Sequence, residues 1–141
     1  MSVFFDTSVL VPVFIDNHEH HQRSWNLFAS ANKRSSYCSA HSLAEVYATM
    51  TRLPGRNRLS GEQVMLFLEN VREHVTPVAL TADEYYATIK EVSASGIVGG
   101  TIYDALIARC ALKANADTIY TWNMRHFEQF GNEVVERLRT P

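Results

Sequence analysis

Short apolar runs alternate with longer amphipathic stretches along nearly the whole chain, and this alternation restricts the fold more than any other feature. Runs at 3–5, 36–39, 77–80 and 117–121 have the length and composition of buried strands, and 133–136 reads as a fifth. Between them, apolar residues fall at helical spacing: Trp25 and Phe28, then Leu43, Val46, Tyr47 and Met50, then Val64, Phe67, Leu68 and Val71, then Tyr85, Tyr86 and Ile89. The stretch 102–112 is apolar nearly all round, which predicts a deeply buried helix. Strands separated by helices imply an α/β chain whose mostly parallel sheet of four or five strands is covered on both faces. In such sheets function collects at the carboxyl ends of the strands.

The chain has 141 residues, the size of one domain, and no repeat, low-complexity tract or composition break divides 1–141. Its formal net charge of −2 excludes the global basic field of many nucleic-acid binders, so a polyanion would have to meet a local patch. Cys38 and Cys110 lie far apart without C-x-x-C spacing, which fits reduced, buried thiols in a cytoplasmic protein. The apolar start lacks a basic segment and is interrupted by Asp6 and Pro12, unlike a signal peptide. No stretch approaches about 18 uninterrupted apolar residues, so no membrane span is expected.

Against that background Asp6 stands out, a carboxylate in the apolar run VFFDTSVLV, just past the first strand. Helix capping explains it most simply. Glu45 has the same explanation, since Ser42-Leu43-Ala44-Glu45 matches the capping box S-x-x-E, as does Asp104 in Thr101-Ile102-Tyr103-Asp104. Asn123, after the fourth strand, suits a cap on whatever begins near Met124. Taken together, Asp6, Glu45 and Asp104 can converge on one rim of the sheet. Two unit charges about 4 Å apart repel by roughly 4 kcal/mol at an effective dielectric of 20, against a typical stability of about 5–15 kcal/mol. Such a cluster takes up protons or holds a cation. All-oxygen ligands favour Mg²⁺ or Mn²⁺ over zinc, and with them metal-assisted phosphoryl chemistry.

Four pieces in order, FFDTSVLV, SAHSLAEVYATMTRLPG, GGTIYDALIARCAL and TWNMRHFE, resemble the PIN-domain family and within it the VapC-like toxins of bacterial toxin–antitoxin pairs. The resemblance implies a three-layer α/β/α sandwich and a Mg²⁺- or Mn²⁺-dependent endoribonuclease that uses an activated water and leaves a 5′-phosphate and a 3′-hydroxyl. The family's three acids fall on Asp6, Glu45 and Asp104, and its fourth acidic position falls on Asn123. An amide there keeps an oxygen ligand but removes a charge, which weakens a second metal site in the absence of substrate. Ser8 and Thr121 match supporting hydroxyl positions. The partners implied are a structured RNA such as a tRNA or an rRNA loop, a cognate antitoxin, and a second copy in a homodimer. Exposed apolar faces around 65–68 or 85–86 suit the antitoxin or the dimer.

Arg125 and His126, past Asn123, and Arg52, Arg56 and Arg58 in the loop TRLPGRNRLSG are candidates to steady an RNA backbone; a solvated loop explains the loop arginines equally well. His18-Glu19-His20-His21 resembles a metal site, but no further ligand follows at zinc spacing, so a surface helix start is expected, with His21 at the core edge beside Trp25. Gly96–Gly100 lacks both the G-x-G-x-x-G pattern and a Walker lysine. Trp25, Phe28, Tyr47 and Phe67 read as core. Two other classes compete with a toxin nuclease. One is a PIN nuclease of RNA processing or a non-catalytic PIN-like binding module. The other is a phosphohydrolase built on Asp6, though the haloacid-dehalogenase pattern wants a second Asp where Ser8 stands.

Overall fold

A computed structural model describes all residues, Met1–Pro141. Strand β1 is Val3–Phe5, β2 Ser36–Ser39, β3 Thr76–Val78, β4 Thr118–Tyr120 and β5 Leu138–Arg139. The helices are α1 Thr7–Val13, α2 His21–Ala29, α3 Ala40–Met50, α4 Gly61–His74, α5 Ala82–Ala94, α6 Thr101–Lys113, α7 Met124–Phe127 and α8 Asn132–Val135, with one 3₁₀ turn at Gly55–Asn57. The five strands form one sheet in the order β3-β2-β1-β4-β5, and every pairing is parallel. The three-layer α/β/α arrangement expected from the alternation is therefore present.

The middle strand shows why its short sequence is apolar throughout. Successive side chains of a strand point to opposite faces, so Phe4 packs with Ile107, Ala111, Ile119 and Phe127 on one side. Phe5 packs with Leu10, Phe28, Val46 and Met50 on the other. Full burial of one such aromatic contributes about 1.5–3 kcal/mol. The chain grows from β1 outward to β3, crosses back, and grows outward again through β4 and β5, so direction reverses beside β1. All strand carboxyl ends share one edge, and that reversal leaves a crevice there.

Several local expectations are corrected. The fifth strand is Leu138–Arg139, while 133–136 lies largely in the short helix α8. Gly131, at φ 96°, starts a turn there in which Val134 and Val135 N–H groups bond back to its carbonyl. Residues 7–13, which the amphipathic spacing leaves without a helix of their own, form α1 with Pro12 inside it, and Asp6 caps it as its simplest reading has it. Pro12 lies near the end of this helix, which stops at Val13. Pro77 is tolerated in β3 because that strand is at the sheet edge. Trp25 and Tyr47, expected in the core, are 44% and 42% exposed, whereas Phe28 is buried and Phe67 packs against the core.

Helix α6 is tied at its far end by Lys113, whose Nζ donates to Glu84 Oε1 at 2.6 Å and to the Ala79 carbonyl at 2.9 Å. Glu84 also closes a capping box with Thr81 at the start of α5. The Lys113 bond first, then the Thr81 N–H, hold the Glu84 carboxyl at about 2 instead of 4.5. A carboxyl depressed by folding contributes stability that is complete above its unfolded value of 4.5 and is lost as pH falls toward about 2. Glu84→Gln, which keeps the box, should flatten that acid limb in urea melts recorded across this pH range. An unchanged limb would remove the pair from the account of how α6 is anchored.

Candidate active site

Strand β1 ends by delivering Asp6 into the crevice. Its N–H donates to the Tyr120 carbonyl at 3.0 Å, extending the β1–β4 ladder by one bond, and its side chain caps α1. Asp6 as a whole residue is only 2% exposed. One oxygen, Oδ2, accepts from Ser8 Oγ at 2.7 Å, from Thr121 Oγ1 at 2.8 Å and from Ser8 N at 3.4 Å. The other, Oδ1, receives no protein donor, and Asp6 lines a cleft of about 440 Å³. The two hydroxyls are themselves held: Trp122 N donates to Ser8 Oγ and Asn123 N to Thr121 Oγ1, both at 2.9 Å. Burial pushes the Asp6 carboxyl up; the Ser8 and Thr121 bonds pull it back, and the nearby Asp104 charge adds to the rise.

Glu45 reaches the same cleft from α3. Its capping-box explanation fails, because Ser39 is the N-cap and accepts from Ser42 N, leaving Glu45 one turn further in. Glu45 Oε1 instead accepts from Thr7 Oγ1 at 2.6 Å, and Oε2 lies 3.7 Å from His41 Nε2. Thr7 Oγ1 is also 2.8 Å from Ser42 Oγ, which is 2.8 Å from Ser39 Oγ. A chain of hydroxyls thus runs from the buried start of α3 to this carboxylate.

Asp104 sits in the first turn of α6, whose N-cap is Gly100 with no side-chain cap bond, so its capping explanation fails as well. Asp104 Oδ2 lies 3.2 Å from His126 Nδ1. Burial raises its carboxyl, the Glu45 charge adds to that, and the His126 imidazole opposes it. Asn123 lines the cleft but makes no side-chain cap bond to α7. Asp6, Ser8, Glu45, Asp104 and Asn123 therefore meet in one cleft, with Thr121 buried behind it.

The donor set is carboxylate and amide oxygen, which suits a hard divalent cation. No three His, Cys, Asp or Glu side chains are drawn into a finished metal cage. An ion such as Mg²⁺, which keeps several waters and takes one or two carboxylates directly, does not need one. The unshared Asp6 Oδ1 facing the cleft is the feature that fits such an ion best.

Of the expected RNA contacts, His126 touches Asp104, while Arg125 is exposed on α7 and does not line the cleft. Arg52, Arg56 and Arg58 are exposed in the connection from α3 to α4 and do not line it either; Arg58 Nε is held by the Leu53 carbonyl of its own loop. The histidine run corrects the sequence reading in part. His21 does start α2 at the core edge, but His18, Glu19 and His20 line the cleft beside Asp6. His20 stacks on Trp122 with centroids 3.7 Å apart and planes 7° apart. Neither their spacing nor their periodicity signals this; it depends on α1, after which the loop reaches the crevice.

The PIN domain profile matches residues 3–132, and the chain belongs to the PIN-domain family. It is 32% identical to Ribonuclease VapC40 of Mycobacterium tuberculosis over 134 residues, covering 95% of this chain and 92% of that one. Ribonuclease VapC27 of the same species is 30% identical over 114 residues, 79% and 78% of the two chains. Its place is thus among the VapC-like members. The solved structure of M. tuberculosis VapC20, described as a sarcin-ricin loop cleaving toxin, superposes with a TM-score of 0.72 at 18% identity over 94% of this chain and 98% of that one. VapBC2 of Rickettsia felis, bound to a promoter DNA fragment, gives 0.66 at 21% identity over 99% and 98%. These two likenesses concern the fold.

Because burial and the Glu45 charge raise the Asp104 carboxyl, the folded, metal-free chain holds that proton more tightly than the unfolded chain does. Its contribution to stability therefore grows as pH falls from the raised value toward 3.8, and is a penalty at neutral pH. In EDTA at neutral pH, Asp104→Asn should melt at a higher temperature than wild type, and the difference should shrink on acidification. A lower melting temperature for the variant would show that the carboxylate is structurally required.

Proposed function

We propose that this chain is a Mg²⁺- or Mn²⁺-dependent endoribonuclease of VapC type, working as one PIN-like domain over 1–141. The observation that carries the reading is the buried Asp6 carboxylate, pinned through Oδ2 and open through Oδ1 to a cleft shared with Glu45, Asp104 and Asn123. The kinship with chains named ribonucleases supports it.

Asp6, Glu45 and Asp104 would hold the cation, with Asn123 adding a neutral oxygen. The cation supplies positive charge against the scissile phosphate and lowers the pKa of a water. The protein supplies position. Ser8 and Thr121 fix one Asp6 oxygen so that the other keeps its aim, Thr7 fixes Glu45 Oε1, and His126 stands against Asp104 Oδ2. A water oxygen would bond to phosphorus in line with the P–O3′ bond and release a proton to solvent. That bond would break, and the 3′ oxygen would take a proton from solvent, so that the elements of one water are added across it and a 5′-phosphate and a 3′-hydroxyl are left.

An antitoxin and a second copy of the chain are the protein partners this reading carries; the fold neighbour solved as VapBC2 supports the first. Two apolar faces suit them: Met65 and Leu66 on α4, 48% and 66% exposed, and Tyr85, Tyr86 and Ile89 on α5. The RNA would be a structured one such as a tRNA or an rRNA loop. No helix is long and apolar enough to cross a membrane. Cys38 and Cys110, both buried and free, fit the reducing cytoplasm where we place the protein.

Purified free of any partner, the protein should cut RNA in Mg²⁺ or Mn²⁺ and stop in EDTA. Asp6→Asn and Asp104→Asn should each lower the rate by about 10²-fold or more, the scale of losing one electrostatic element of a transition state. Gel analysis of end-labelled RNA reads both. Wild-type cutting by the folded Asp104→Asn protein would end the metal-site reading.

A further inference from the structure

A second cavity, of about 480 Å³, shares no residue with the carboxylate cleft. It lies between the second half of α5, the body of α6 and the turn that leads into α8. Ala105 and Ala108 of α6, both buried, line it with side chains too small to fill the space. Val92 of α5, Leu112 of α6 and Val134 of α8 give it apolar walls, and Phe130 adds a ring. Ile97 completes them, because Gly96, at φ 75°, turns the chain after α5 and the Ile97 N–H bonds back to the Val92 carbonyl at 3.2 Å. Gln129 lines it too, and its Nε2 donates to the carbonyl of His126, the residue that stands against Asp104.

Two charged side chains also line this cavity, Glu91 from α5 and Arg109 from α6, and both are exposed. The four salt bridges of the chain involve neither, so opposite charges face one cavity without meeting. Small-molecule sites are mostly apolar hollows of about 300–1,000 Å³ with a few polar groups that fix orientation, and this cavity has that form. An anion alone would also face Glu91, and a cation alone would also face Arg109. A molecule with both charges close together on an apolar body satisfies both and fills the hollow. We propose that this cavity binds a free α-amino acid with a large apolar side chain, its carboxylate on Arg109, its ammonium on Glu91 and its side chain between α5 and α6. The guanidinium suits a carboxylate because it offers paired donors. Within a peptide an amino acid keeps at most one of the two charges, so a peptide would not serve. Such a site stands whether or not the carboxylate cleft cuts RNA.

Titration of the isotope-labelled protein with L-phenylalanine and with L-leucine, followed through its amide NMR shifts, tests the site. At least one of them should shift the amides of Ala108, Leu112 and Val134 saturably and leave those of Asp6 and Glu45 in place. For whichever binds, the N-acetyl derivative lacks the ammonium and the decarboxylated amine lacks the carboxylate. Each should bind about fivefold more weakly than the parent, the scale of one ion pair near the surface. Arg109→Gln should remove the parent's advantage over the amine, and Glu91→Gln its advantage over the N-acetyl derivative. Both positions are exposed, so both variants should fold as wild type does, which circular dichroism checks. Equal binding of the parent and its two derivatives would reduce the cavity to an apolar hollow and overturn the proposal. It is equally overturned by no shift with either amino acid, by shifts confined to the carboxylate cleft, or by advantages that survive both substitutions.

Discussion

The bond pair from Ser8 Oγ and Thr121 Oγ1 to Asp6 Oδ2 is the interaction on which the crevice depends. An isolated buried carboxylate would cost several kcal/mol, and hydrogen bonds to a charged group return about 1.5–3 kcal/mol each. Both hydroxyls are fixed because each also accepts a backbone N–H, from Trp122 and from Asn123. The end of β4, the start of α1 and the end of β1 are thereby joined at one carboxylate oxygen. Holding Oδ2 from behind leaves Oδ1 facing the cleft, so the bonds that make the charge tolerable also orient it.

Repulsion among the three carboxylates plays a smaller part than the sequence suggests. Each has its own partner: hydroxyls for Asp6, Thr7 for Glu45, the His126 imidazole for Asp104. For both Asp6 and Asp104, burial comes first among the causes raising the carboxyl, and a neighbouring carboxylate ranks behind it. The cleft is thus a set of separately compensated charges, and a cation would add a shared partner to groups already held.

The sheet, its parallel order and the meeting of Asp6, Glu45, Asp104 and Asn123 were legible because strand periodicity and the strand-end rule depend on local pattern alone. What stayed hidden depended on how the chain turns between elements. Ser42-x-x-Glu45 and Thr101-x-x-Asp104 look like capping boxes, yet α3 starts from Ser39 and α6 from Gly100, because caps are chosen by where the strand or loop hands over to the helix. The run after Asp6 is β-branched and holds Pro12, so its local propensity resists the helix that tertiary packing of Val9, Leu10 and Val13 imposes. Missing α1 concealed Thr7 and the loop with His18 and His20, whose roles exist only once that helix turns the chain.

A parallel sheet also explains why acids can gather on this edge at all. Helices α1 and α3 begin directly at the carboxyl ends of β1 and β2, and a helix N-terminus carries partial positive charge that falls off within its first turn. Asp6 caps α1 and Asp104 lies in the first turn of α6, so both occupy the positive end of a helix. Glu45, a turn deeper in α3, gains less from that source and instead receives the Thr7 hydroxyl. Those N-termini would ordinarily welcome an external anion, but the chain's own carboxylates occupy them. On the nuclease reading proposed above, a cation held by these acids would be what lets a phosphate approach them. On that reading substrate and cation would favour each other's binding, a consequence of placing anions where the fold would otherwise have bound one.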